Sequence, residues 1–287
     1  MQGSAVTFTL ARHSAAWRFS DLAPDRRVQL RQALLAWMAV TLSGAQAPLV
    51  HLLAEDAVEQ GGHGQATVVG HGFATSTRQA ALVNAAASQG GGGDDTMSVG
   101  SAVLLAALLA LAESRGDSGR AFMTAFAAGQ DLLDRIGTAS PSTAALAAAA
   151  GGAHLLQLDA ADTAAALALA GATARGAAGL CRPMQAGMAA ADGLFAVHLA
   201  ARGCGRDAET LTAPLAAVLP QQDRPMRMAQ DPAARQRHLE LRFRELTRPV
   251  LDESDAQALL RLIDQLDELP DLSPLAGVLA ARPACRH

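Results

Sequence analysis

Two stretches of this chain, Ala145 to Gly152 and Ala164 to Ala178, consist almost wholly of alanine and glycine with a few leucines. Side chains this small leave voids unless neighbouring backbones come close, and protein interiors tolerate few voids. Alanine is also the strongest helix former. Both stretches are therefore expected to be helices packed at short axial distance, centrally or at a subunit interface. The remaining composition points the same way. Half of the residues are hydrophobic, yet aromatics make up 3% and Tyr is absent, so the core has to be built from Ala, Leu and Val. Strands favour aromatic and β-branched residues, so this balance predicts an all-α protein.

Length and charge narrow the function classes. The 287 residues suffice for one large core or two modest ones. The formal charge is −4, and the 23 cationic side chains are all Arg without a long basic run, which argues against nucleic acid as a partner. Cys181, Cys204 and Cys285 lack CxxC or Cys/His spacing, which argues against a disulfide framework or structural zinc. Met1 to Leu10 lacks the basic and apolar regions of a signal peptide. The apolar stretch Ala102 to Ala112 is too short to span a bilayer. A cytoplasmic protein without membrane contact, metal or cofactor is expected.

Helical periodicity appears from Asp25 to Leu42, where Val28, Leu30, Leu34, Leu35, Met38 and Leu42 form one stripe, and recurs at 45–60, 77–88, 101–114, 119–136 and 142–156. Asp117-Ser118-Gly119 and Asp159 to Asp162 fit helix starts. Gln65 to Val69 is the one expected strand. Pro214, Pro220, Pro225 and Pro232 punctuate a linker over 213–236. Helical patterns return at 238–246 and 254–268, followed by a Pro-containing tail. The expected division is 1–212, 213–236 and 237–287, with the last segment packing back on the first.

Several of these segments resemble the MmgE/PrpD family. The opening FTLARHSAAWRFSDLAPDRRVQLRQALLAWMAVTLSG resembles the family's leader and first long helix. GGHGQATVVGHGFATSTRQAALVNAAASQGGGGDDT is similar to its GEATVLGTG and HALDFDDT region. GDSGRAFMTAFAAGQDLLDRIG resembles its GxSG helix, and CRPMQAGMAAADGLFAVHLAARG its TKxLHxG helix. RHLELRFRELTRPVLDESDAQALLRLIDQLDELPDLSPL resembles the closing helices of full-length members. The resemblance implies an all-α MmgE/PrpD-type helical domain of short helices that usually dimerises. It also implies that the α+β lid domain, which in the family precedes the closing helices, is missing here.

The family's dehydratases, decarboxylases and epimerase act on small polycarboxylates. Such reactions need a positioned acid or base and cations to hold carboxylates. Carried over residue by residue, the resemblance implies a depleted site. Gly92 stands where the family has its catalytic Asp, and Gln89 replaces a His. Asp94, Asp95 and Thr96 keep the DDT triplet. Ser98 falls near the next family His, Thr138 to Thr143 replaces the family's GFHPT, Arg182 replaces its Lys and Gln185 another His. Arg keeps a cation that forks well onto carboxylates, but its pKa above about 12 makes it a poor proton carrier.

Asp94, Thr96, Ser98 and Arg182 are thus the candidate catalytic residues. Gln89, Gly92, Asp95, Gln185 and His71 are the candidate substrate contacts, His71 because flanking glycines leave its backbone open. Each has a blander reading. Gly90 to Gly93 resembles a phosphate loop but has no following Lys, so a flexible replacement loop is expected. Asp94 and Asp95 could cap the next helix. Arg182 could bind an anion or an interface carboxylate. Cys181, without a His partner, is expected to be buried and inert. Most histidines are expected at the surface or in loops.

Two functions follow. One is a repurposed isomerase, lyase or cyclase acting in an open pocket on a larger or carrier-linked substrate rather than a small tricarboxylate. The alternative is an inactive, dimeric binding or partner protein. Ordinary methylcitrate dehydration is the least expected outcome.

Overall fold

A computed structural model describes residues 2–90, 97–137, 140–173, 180–205 and 232–280. In chain order it contains α1 (Gln2–Ala16), a 3₁₀ turn at Phe19–Asp21, α2 (Pro24–Gly44), α3 (Pro48–Gln60), β1 (Ala66–Val68), β2 (Phe73–Thr75), α4 (Thr77–Ala87), α5 (Val99–Arg115) and α6 (Gly119–Ile136). Then follow α7 (Pro141–Leu155), α8 (Ala160–Thr173), α9 (Arg182–Ala200), α10 (Pro232–Thr247), α11 (Glu253–Asp264) and α12 (Ser273–Leu279). The protein is all-α, with a single two-stranded sheet among the described residues.

Helix α5 is the axis of the bundle. Every residue from Ala102 to Ala112 is buried, as befits a helix that is apolar all round and enclosed by neighbours. Among the described residues no single helix is long and apolar enough to cross a membrane. Around α5 stand α4, α6, α7 and α9, held at the short distances that small residues permit. A Cβ on Gly129 would lie 2.6 Å from Leu104 and 2.9 Å from the Ala147 carbonyl, and one on Gly151 would lie 3.0 Å from the Ala125 carbonyl. One on Gly193 would lie 2.6 Å from the Cβ of Ala148. Helix α7, which holds the Ala145 to Gly152 stretch, is thus the close-packed centre that its composition requires. Of the stretch 164–178, the part to Thr173 lies in α8, which packs against α7, α9 and α1.

Three elements lacked a sequence signal. Helix α1 has no regular apolar stripe, yet Leu10 and Ala11 are buried with the α8 core, and Ser14 offers its carbonyl to His154 at 3.2 Å. Strand β2 pairs antiparallel with β1, Ala66 opposite Thr75 and Val68 opposite Phe73. The hairpin is pegged to the helices by side chains. Glu113 accepts from the Thr67 amide at 2.8 Å and its hydroxyl at 2.7 Å. Asn84 accepts from the Val69 amide and donates to the Thr67 carbonyl, both at 2.9 Å. Helix α12 occupies the expected tail, and its Leu279 carbonyl accepts from the Gly70 amide at 2.9 Å.

Helix α10 begins at Pro232, inside the stretch read as linker, because Pro is well tolerated in a first helical turn where its missing N–H costs nothing. It lies along α2. Arg31 of α2 donates to the Asp264 carbonyl at 2.9 Å and to Asp267 at 3.1 Å, and the Gly119 amide donates to the Leu269 carbonyl at 3.0 Å. Leu239, Phe243, Leu259, Ile263 and Leu275 join the same buried cluster as α2 and α5.

Candidate functional site

The close contacts fix which helix ends meet. Gly187 of α9 sits against the carbonyl of Leu82 in α4, while Asp192 and Arg78 pair at 3.7 Å. As numbering rises on α9 it falls on α4, so the two are antiparallel and the start of α9 lies beside the end of α4. Gly100 of α5 faces Leu133 of α6 and Gly129 faces Leu104, so α5 begins where α6 ends. Gly193 faces Ala145 and Ala148 while Gly152 faces Val197, so α7 and α9 run parallel. The starts of α5, α7 and α9 therefore share one end of the bundle with the ends of α4 and α6. Ser98, Ser140 and Cys181 are the cap residues of those three starts.

That arrangement brings Gln89, Ser98, Arg182 and Gln185 to one end. Gly92, Asp94, Asp95 and Thr96 lie outside the described residues. Arg182 occupies the first turn of α9 and is exposed. It makes no ion pair among the described residues. Arg182 and three helix starts bring positive charge to this end, while the ends of α4 and α6, with Asp131 and Asp134, bring negative charge beside it. Gln185 donates to the Leu180 carbonyl at 3.1 Å, and Gln89 donates to the Ser88 carbonyl at 3.1 Å.

Ser98 has a structural role that sequence reasoning missed. Its Oγ accepts from the Ser101 amide at 3.1 Å and stands 2.9 Å from Ser101 Oγ. Ser101 gives its own hydroxyl hydrogen to Gln130 at 2.7 Å, so Ser98 is the donor to Ser101. Gln130 donates to Asp134 at 2.9 Å, and Arg26 approaches Asp134 at 3.7 Å. The Ser98 hydrogen thus belongs to a chain running across α5, α6 and α2, not to a waiting base. Polar Gln130, buried on the inner face of α6 one turn before Asp134, was the available signal. Ser98 also corrects the reading of Asp94 and Asp95 as the cap of α5. Ser140 is bound similarly, accepting from the Thr143 amide at 3.1 Å.

Cys181 is exposed, contrary to the expectation of a buried thiol, where it precedes α9 as its cap. His71 is part-buried. Its Nε2 has no hydrogen-bond partner among the described residues, and its ring stands edge-on to His51, centroids 5.2 Å apart. Burial, followed by the charge of His51, depresses its pKa, while a bond to the Ala45 carbonyl opposes the shift. The corner between α2 and α3 touches both His71, through Ala45, and Gly90, through Gly44 and Ala47. His71 therefore borders the end where the candidate residues gather. His154 and His198 are part-buried within helices, and burial lowers both pKa values.

Among the described residues no group of three or more metal-ligating side chains occurs. A cavity of about 240 Å³ lies elsewhere, between α2, α10 and α11, lined by Arg31, Gln32, Leu35, Gln236 and Ile263.

Fold and site together define an all-α bundle protein in which Gln89, Ser98, Arg182 and Gln185 collect where three parallel helices begin. The chain belongs to the MmgE/PrpD family: the model of the MmgE/PrpD N-terminal domain matches residues 9–214. No curated protein matches it.

Proposed function

We propose that this chain is a repurposed MmgE/PrpD-scaffold protein that holds an anionic small molecule or carrier-linked acid at the bundle end marked by Arg182. It works there without a lid and without the family's usual tricarboxylate chemistry. The observation that carries this reading is the meeting of three helix starts with an exposed Arg182 that has no ion pair among the described residues, an arrangement that favours a carboxylate or phosphate. Asp94, Asp95 and Thr96 would supply the polar groups for an isomerase, lyase or cyclase step. An open site excludes water poorly, which suits steps that do not need a dry pocket.

A second reading, a non-catalytic binding or partner protein, is favoured by one specific observation. Ser98, Ser140 and Gln89 turn their hydrogen bonds onto backbone or neighbouring side chains of their own helix ends. Both readings predict anion binding at Arg182, and turnover separates them.

The test is calorimetric titration of a panel of mono-, di- and tricarboxylates and acyl-thioester acids into wild type and Arg182→Ala. Removing one charge-assisted contact of about 1.5–3 kcal/mol weakens binding by at least about tenfold. Binding undiminished by the substitution, or no binding by any member of the panel, overturns the proposal. Among ligands that bind, turnover abolished by Asp94→Asn identifies the enzyme reading, and binding without turnover identifies the partner reading.

A further inference from the structure

Two exposed helix faces have no partner among the described residues, and they complement each other. Helix α3 buries Val50, Ala54 and Ala57 on one side. The opposite side, at the helical spacing of three and four residues, carries Leu52, Glu55 and Glu59, all exposed, with Leu52 62% exposed. Helix α10 buries Leu239 and Phe243. Its outer side carries Arg237, Leu241, Arg244 and Arg248, with Leu241 also 62% exposed. Each stripe therefore sets like charges beside one protruding leucine. Glu245 and His238 flank the basic stripe, and Asp56 and His51 flank the acidic one. Arg244 is partly engaged by Glu253 at 3.8 Å, whereas no ion pair holds Arg237 or Arg248 among the described residues.

We propose that α10 of one molecule docks on α3 of a second copy of this chain. Opposite charge steers and orients the contact, and the two leucines meet in its centre. The faces match in length, 13 residues in α3 and 16 in α10. An anionic membrane or nucleic acid would satisfy the arginines but would leave the acidic stripe of α3 unexplained, so a second copy accounts for both faces at once. One helix-on-helix seam is smaller than the roughly 800 Å² per partner of a standard interface, so the association is reversible and weakens with salt. This inference is independent of the ligand proposed above.

The experiment is sedimentation velocity of the full chain over a concentration series at low and high salt. Four proteins are compared: wild type; Glu55→Arg with Glu59→Arg; Arg237→Glu with Arg248→Glu; and all four substitutions in one chain. All of these positions are exposed, and circular dichroism verifies that each variant folds. Wild type is expected to self-associate at low salt. Each double reversal is expected to raise the dissociation constant at least about tenfold, and the fourfold variant to restore it to within about threefold. A wild type that stays monomeric throughout, an association unmoved by either reversal, or a folded fourfold variant that does not recover would each overturn the proposal.

Discussion

Replacing Gly193 by alanine tests whether close helix approach sets the stability of this bundle. A methyl group at Gly193 would stand 2.6 Å from the Cβ of Ala148 and 2.8 Å from the carbonyl oxygen of Ala145. Carbon atoms pack best at about 3.5–4.0 Å, so the shortfall is on the order of 1 Å. One of the two neighbours is backbone, which has no rotamer to change, so α9 must move away from α7. Overpacking of this kind costs about 1–3 kcal/mol, and alanine returns about 1 kcal/mol through its better helix propensity. The net expectation is a loss of about 0–2 kcal/mol. Gly277 in α12 supplies the internal control, because a Cβ there meets nothing within 4 Å. Gly277→Ala should therefore stabilise by up to about 1 kcal/mol, since only the propensity gain applies. Urea denaturation of both variants beside wild type reads the two midpoints. If Gly193→Ala is as stabilised relative to wild type as Gly277→Ala, or if Gly277→Ala falls below wild type, the packing argument is refuted.

Burial depresses the pKa of His154 below its ordinary 6.5, against the opposing bond to the Ser14 carbonyl. The unfolded chain then binds the proton more readily than the folded one, so stability is full above about pH 6.5 and is lost as pH falls below it. Urea midpoints from pH 8 to pH 5 should show this decline, to which the similarly depressed His71 and His198 add, and His154→Gln should make it shallower; an unchanged slope would show that His154 carries none of it. Glu113→Ala leaves the buried Thr67 amide and hydroxyl without their carboxylate partner, a loss of about 2–3 kcal/mol. A midpoint within error of wild type would show that the hairpin is not pegged there.

The scaffold was legible because period and composition act locally. The stripe from Val28 to Leu42, the cap signal at Ser118 and the alanine and glycine of α7 each fix a helix without help from distant residues. What the sequence hid depends on tertiary partners. Helix α1 is held by Leu10 and Ala11 against α8, and β2 exists because β1 is anchored by Glu113 and Asn84, residues 46 and 17 positions away from Thr67. At the site, the resemblance named Ser98 for a role in chemistry, whereas its hydroxyl is bound into the Ser101 and Gln130 chain. That chain joins three helices, so no local window contains it. The exposure of Cys181 was hidden for the same reason, since it depends on which helices pack over the start of α9.

The central claim is that the family's helical scaffold persists here while its acid and base groups at the reaction centre are gone. The most direct measurement incubates the purified chain with 2-methylcitrate, citrate and cis-aconitate and follows dehydration or decarboxylation by product absorbance and chromatography. Losing one positioned proton carrier typically costs about 10²-fold or more, and the resemblance implies that Gly92, Gln89 and Gln185 replace several at once, so conversion at the buffer rate is predicted. Turnover well above that rate, abolished by Asp94→Asn, would contradict it.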